Sequence, residues 1–383
     1  MSTLYGPAPE PPTRLGYYRK LAPRAAIHVS PLCLGGMSIG DKWSEHGMGS
    51  MDKTSSFRLL DAFFDAGGNF IDTANHYQDG TSEEFIGEWQ EQRGIRDQLI
   101  IATKYTNNPR RGDPTLPQKV NWVGNNIKSM KLSLELSLKR LRTDYIDIFY
   151  VHYWDQETDV EEMMDGLHTL VLSGKVLYLG VSDFPAWLVV KANAYARANG
   201  KTPFVVFQAA YSVLERDIER EILPMCHHEG LALAVFSVLA QGHIRTDAEE
   251  ERRRTTGEGG RTVLGMPWER TPEERAVCQM LERIAREVGV GDNIGAVAIA
   301  YVMHKAPFVF PILGGRKVEH LMANIEALNV KLTPEHMKAI EAAKSFDRGF
   351  LANFIGAYGD IPFLIASQAK IERSPVVTAI VAS

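Results

Sequence analysis

Asp72, Lys104, His152, Ser182, Gln208, Ser237 and Arg316 each follow directly on a separate short apolar run. The first three, together with Tyr77, are residue types that can work on a carbonyl group. A free phenol has a pKa near ~10 and is a poor acid or base at neutral pH. A nearby ammonium favours the phenolate and lowers that pKa. Lys104 supplies the cation, and Asp72 pairs with Lys104 to hold it in place. His152 donates a hydrogen bond to a substrate carbonyl oxygen. The result is a tuned proton donor beside a polarised carbonyl, as acid–base catalysis requires. Alone, each residue has an ordinary explanation. Asp72 suits a turn, Tyr77 a rim, Lys104 a solvated surface, and His152 a satisfied structural histidine. What points to chemistry is that all four stand at the ends of three successive runs.

The elements that must position them form one repeating pattern. Apolar runs at 32–36, 69–72, 98–104, 145–152, 176–182, 204–208, 231–237 and 308–314 have the nearly continuous character of strands buried on both faces. Helical periodicity fills the gaps. Val123, Ile127, Met130, Leu134, Leu138 and Leu141 recur at steps of three and four, and 161–172 and 218–228 behave similarly. Asp52 suits the N-cap of a helix over 57–64. Strands alternating with helices imply a parallel sheet, and eight units predict a closed (β/α)8 TIM barrel of the α/β class. The chain reads as a single domain over 1–383, with a core at about 18–346 and a C-terminal extension at 347–383. In such a barrel the strand C-terminal ends converge on one mouth, so the polar residues would share a pocket.

Two segments break the rhythm. Residues 105–118 read as a polar loop, and 245–272 as a long charged insertion. The insertion is either a solvated loop or, since it leaves the mouth, a lid. The formal net charge of -5 carries no basic footprint, so nucleic acid is not an expected partner. No apolar run reaches the ~20 residues of a membrane span. Three scattered cysteines, Cys33, Cys226 and Cys278, make no disulfide framework and suit a reducing, cytoplasmic compartment. The start, 1–14, is Pro-rich with no apolar signal region, and the apolar 374–383 reads as a frayed tail. Cys226-His227-His228 lacks further ligands at metal spacing, so no metal is expected.

The segment 70–77, Phe-Ile-Asp-Thr-Ala-Asn-His-Tyr, resembles the Asp-Thr-Ala-x-x-Tyr motif of the aldo-keto reductase superfamily. Ala102-Thr103-Lys104, Val151-His152, Gly180-Val181-Ser182, 208–212, 236–242 and 311–324 resemble that family's further motifs, in order. The resemblance covers roughly 18–346. It implies a (β/α)8 barrel, NADPH as cofactor, Tyr77 as general acid/base tuned by Lys104 and Asp72, and His152 as substrate orienter. Within the superfamily, 29–40 and the insertion are most similar to fungal aryl-alcohol dehydrogenases and norsolorinic acid reductase-like proteins. The expected partner is therefore a small carbonyl or alcohol substrate of aromatic character. The alternatives are a polyketide-ketone reductase and an NADPH-binding regulator resembling potassium-channel β-subunits.

The same resemblance distributes the cofactor. Tyr211 would stack on the nicotinamide, and Ser182 and Gln208 would bond its carboxamide. Asp183 replaces the family's usual Asn. It accepts from an amide NH2 but, ionised, donates nothing, and it equally suits a helix N-cap. Ser237, Leu239, Gln241 and Gly242 match the pyrophosphate stretch. Gly314 and Gly315 precede Arg316 and Lys317, a pair suited to an adenosine 2′-phosphate, with His320 and Asn324 one and two turns on. Trp43, Tyr105 and Trp154 either line an aromatic substrate pocket or pack the rim.

Overall fold

The computed structural model describes residues 6–258, 267–356, 358–372 and 377–382. An antiparallel hairpin comes first, β1 (Arg19–Ala22) and β2 (Ala25–Val29). Eight strands then close a cylinder: β3 (Cys33–Gly35), β4 (Phe70–Asp72), β5 (Ile100–Tyr105), β6 (Ile146–Val151), β7 (Val176–Ser182), β8 (Phe204–Ala210), β9 (Ala232–Phe236) and β10 (Val309–Leu313). β10 pairs with β3 to shut the ring, and every pairing around it is parallel. Each expected strand is present, with ends shifted by up to two residues.

The helices that return the chain are α1 (Lys53–Asp65), α2 (Thr81–Arg93), α3 (Ile127–Arg140), α4 (Val160–Leu172), α5 (Ala186–Ala198) and α6 (Ile222–Glu229). α7 (Asp247–Thr256), α8 (Pro272–Glu287), α9 (Ile294–Lys305), α10 (Val318–Ile325) and α11 (Pro334–Ala343) follow. Side-chain chemistry sets several starts. Asp52 caps α1 by accepting from the Ser55 N–H, and Asn126 caps α3 by accepting from Ser129. Thr271 and Glu274 form a reciprocal capping box on α8, with Pro272 at the first turn. The expected 218–228 helix divides into a short 3-10 turn at Asp217–Glu219 and α6.

Strand alternation sorts the core into two layers. Cys33, Phe70, Ala102, Tyr150, Ala234 and Phe310 face inward and meet Leu21, Ala22, Ala25 and Val29 of the hairpin in one cluster. The hairpin therefore closes the floor, opposite the mouth. Leu34, Ile71, Ile101, Phe149, Val181 and Val235 face outward onto the helices.

Three expectations change here. Tyr105 does not lie in a loop at the substrate mouth. It is the last residue of β5, fully buried, stacked on Phe149 at 5.3 Å and donating to the Asn125 carbonyl. Its outward strand position sends the ring into the outer core. The charged insertion is not simply solvated: α7 forms, and Glu250 lies buried among Arg245 and Arg270. Residues 259–266 of that segment fall outside the described residues. The tail is not merely frayed. Val377, Thr378 and Ile380 line a small floor cavity with Arg19, Phe308 and Phe310. Of the start and tail, 1–5, 373–376 and 383 lie outside the described residues.

Candidate active site

Asp72, Lys104 and His152 come to one place because β4, β5 and β6 are adjacent and each presents an inward residue at its C-terminal end. Lys104 is fully buried and donates to Asp72 Oδ1 at 2.5 Å and to the Thr73 carbonyl at 2.8 Å. Gln208 Nε2 donates to Asp72 Oδ2 at 2.9 Å. Both carboxylate oxygens are thus taken, and Gln208 belongs to this network. Burial works against the Lys104 charge, but Asp72 and Tyr77 outweigh it and raise its pKa. The ammonium stays charged.

Tyr77 stands in a tight turn, where Gln78 and Asp79 have φ of 54° and 52° and Gly80 of 102°. The Lys104 ammonium lies 5.1 Å from the Tyr77 ring centroid. Burial raises the phenol pKa. Lys104 pulls it down by charge and by hydrogen bond, Asp72 pushes it up, and the net shift is upward. This reverses the sign expected from sequence. Desolvation of a half-buried phenol exceeds the help of a cation that Asp72 already neutralises. Tyr77 therefore holds its proton, as a donor should.

His152 lies 6.0 Å from Tyr77 between ring centroids. Burial, then Lys104 and His76, hold its pKa well below the usual imidazole value, so the ring is neutral. The Asn107 amide nitrogen approaches His152 Nδ1 at 3.5 Å, which leaves Nε2 to carry the ring proton. His76, next to Tyr77, has its pKa lowered to about 3 by burial and by Lys104 and Arg111. Trp43, only 5% exposed, lies edge-on to Tyr77 at 6.3 Å. Trp154 instead meets Trp187 at 5.9 Å.

The candidate cofactor residues divide. Ser182 is buried in register with Gln208. Asp183 has φ of 48°, and Pro185 rather than Asp183 caps α5. Its side chain reaches solvent at the mouth, yet protein crowds its inner side, and that desolvation pushes its pKa up to about 6. Tyr211 does not present an open face. It is fully buried and donates to Glu219 at 2.8 Å. From inward Gln208, alternation turns Tyr211 outward into the helix layer.

After β9, Ser237, Ala240 and Gln241 have φ of 56°, 46° and 55°, and Gly242 of 98°. This strained loop shares a wall with α10: Leu239 and Asn324 both approach Gly295, at 3.6 and 3.8 Å from where its Cβ would stand. Gly314 and Gly315 border open space, with nothing within 4 Å of where their Cβ atoms would be. Arg316, Lys317 and His320 are exposed, and Asn324 is buried. Arg316 lies beside Gly49, across the loop after β3, and Lys317 pairs with Glu258 at 3.7 Å. Open glycine backbone flanked by two cations fits a phosphate-bearing dinucleotide.

Sequence reasoning missed Gln78, Asn107 and Arg140. Arg140 donates to the Asn75 and Pro109 carbonyls and so fastens the turn that carries Tyr77. These are support residues on loops and a helix, and no motif or periodicity marks them. Among the described residues, no three His, Cys, Asp or Glu side chains gather as a metal site, and no helix is long and apolar enough to cross a membrane.

Comparison with known proteins adds to this geometry. The profile described as Aldo/keto reductase family matches residues 31–345. An aryl-alcohol dehydrogenase [NADP(+)] of Phanerodontia chrysosporium is 56% identical over 98% of this chain and 98% of its own. Norsolorinic acid reductase A of Aspergillus parasiticus is 50% identical over 91% of this chain and 86% of its own. An aryl-alcohol dehydrogenase of Pestalotiopsis microspora is 49% identical over 93% and 89%.

Proposed function

The chain belongs to the aldo/keto reductase family, and from that premise we propose an NADPH-dependent oxidoreductase that reduces aromatic aldehydes to alcohols and runs the reverse aryl-alcohol oxidation. One observation carries the reading: a protonated phenol, Tyr77, half-buried beside a charged, carboxylate-held ammonium, Lys104, at the mouth of the barrel. Bound NADPH supplies the hydride that adds to the carbonyl carbon.

The chain's own residues do the rest. Neutral His152 donates from Nε2 to the carbonyl oxygen and orients it. As negative charge develops on that oxygen, the Tyr77 hydroxyl transfers its proton there, completing the alcohol. The phenolate left behind faces Lys104, whose charge Asp72 and Gln208 hold in position. In oxidation the same groups act in reverse, with the phenolate as base. Arg316 and Lys317 would hold the 2′-phosphate, the glycines at 314 and 315 and the loop 237–242 the phosphates, and Ser182, Asp183 and Gln208 the nicotinamide end. The norsolorinic acid reductase relative favours a second substrate class, fused-ring ketones, for the same site. The three free, buried cysteines support a reducing, cytoplasmic setting.

A substrate panel with NADPH or NADH tests this. Benzaldehydes should be reduced with NADPH in preference to NADH, and Arg316→Ala should erase most of that preference. Equal affinity for the two cofactors, unchanged by Arg316→Ala, would remove the 2′-phosphate assignment. Absence of turnover on both benzaldehydes and fused-ring ketones would remove the reductase.

A further inference from the structure

The turn that carries Tyr77 contains a second side chain with an unusual set of bonds. Gln78 is fully buried and holds φ at 54°, a region that L residues rarely adopt. Its Oε1 accepts from the backbone N–H groups of Lys42 at 3.1 Å and Trp43 at 2.9 Å. Its Nε2 donates to the carbonyls of Met37 at 2.9 Å and Gly49 at 2.8 Å. Every hydrogen-bonding position of the amide is used, and its orientation is unambiguous, because N–H groups only donate and carbonyls only accept.

All four partners belong to the loop between β3 and α1. That loop is shaped to receive Gln78. Gly40 has φ of 117°, and a Cβ there would stand 2.6 Å from Gln78 Cβ. The loop's own closure is a bridge between Gly40 and Met51 and a turn from Ile39 to Gly36, and Thr81 Oγ1 accepts from the Asp41 N–H at 3.3 Å. What it carries is the Trp43 ring, set 6.3 Å from Tyr77 and 5.8 Å from His76. With the Arg111 guanidinium 5.5 Å from its centroid, the ring offers only its small open part beside the proton donor, an aromatic edge that suits a planar aromatic substrate more than a short aliphatic one.

We propose that Gln78 is a specificity-determining positioning residue, which fixes the 37–49 loop and so holds Trp43 beside Tyr77 to select aromatic carbonyl compounds. The proposal rests on the reductase reading for its substrate, but not for its geometry. Four hydrogen bonds to backbone, one buried and three part-buried, are enough to hold one loop in one register, and losing them leaves four backbone groups in need of other partners.

Gln78→Gly is the direct test, since glycine accepts the same φ while the side chain and its amide are lost. Amide hydrogen exchange read on peptides covering 37–51 should quicken in the variant and not elsewhere in the barrel. KM for benzaldehyde should rise by about tenfold or more, while kcat and KM for a short aliphatic aldehyde stay within about twofold. Trp43→Ala should lose the same selectivity, and the Gln78→Gly/Trp43→Ala double variant should be no worse than either, as for two residues in one unit. Unchanged exchange at 37–51, a fall in both substrates together, or additive losses in the double variant would overturn the proposal. Should the wild-type protein reduce neither aldehyde, the reductase reading fails by itself, and the exchange measurement still decides whether Gln78 fastens the loop.

Discussion

Tyr77, Lys104, Asp72 and His152 owe their behaviour to what surrounds them. Burial raises the phenol pKa above its ordinary value, and burial with Lys104 and His76 keeps His152 neutral well below the usual imidazole range. Neither group should titrate between about pH 6.5 and about pH 10, the ordinary values from which they are displaced outward. We predict a flat kcat for aldehyde reduction across that window, because the phenol stays protonated and the imidazole neutral. Aryl-alcohol oxidation needs the phenolate, so its rate should climb with pH through the same window. A limb near pH 6.5 in reduction that persists in Asp183→Asn, whose carboxyl is pushed up to about 6, would contradict the neutral imidazole, and an oxidation rate independent of pH would contradict the phenolate. Asp72, Lys104 and His152 were legible in the sequence because each ends an apolar run, and Tyr77 because it lies in the loop just past one of them. The sign of the Tyr77 shift was not, because desolvation depends on enclosure, which no local pattern records. Tyr211 misled for a different reason. Its motif position was clear, but β8 continues to Ala210, and alternation past Gln208 turns the ring outward.

At the scale of elements, the barrel strands were readable because burial on both faces leaves nearly unbroken apolar runs. The floor hairpin was not. β1 and β2 are short and mix Arg19, Lys20 and His28 with Leu21 and Val29, so their apolar face shows only once it meets the barrel interior. The insertion misled because charges held in a buried network look, in sequence, like charges in water. Burial pushes the Glu250 carboxyl up, but bonds from Arg270 and Arg275 outweigh it and hold it at about 2. A depressed carboxylate stabilises the fold above its unfolded pKa, and that contribution is lost as pH falls from about 4.5 towards 2. We predict that Glu250→Gln, which leaves buried Arg245 without its counter-charge and Arg270 with Asp247 alone, destabilises the segment by about 3–5 kcal/mol. Trypsin should then cut the variant at Arg252–Arg254 under native conditions and spare the wild-type protein. Equal resistance of the two would show that the network does not hold α7.

On the scale of the molecule, one cylinder separates stability from chemistry. The hairpin and the inward apolar residues fill the floor, and the polar strand ends occupy the mouth. The C-terminal extension joins the two ends. It starts near the mouth, where Lys344 donates to the Leu214 carbonyl and Arg220 to the Asp347 carbonyl. It passes α6, where Tyr358 meets His227 and His228, and reaches the floor at Val377 and Ile380. The mouth also brings the insertion to the glycine-lined groove proposed for the cofactor, through Glu258 and Lys317. The closed ring and its mouth were foreseeable from eight strand–helix units. The path of the extension was not, because its apolar residues show no period. The proposed reaction depends on Tyr77 giving its proton to a carbonyl while the dinucleotide is held independently of it. Tyr77→Phe tests that most directly, with NADPH affinity and benzaldehyde turnover measured on the same preparation. Affinity should be unchanged and turnover should fall by about 10²–10⁴-fold; turnover near the wild-type rate would remove Tyr77 as the proton donor.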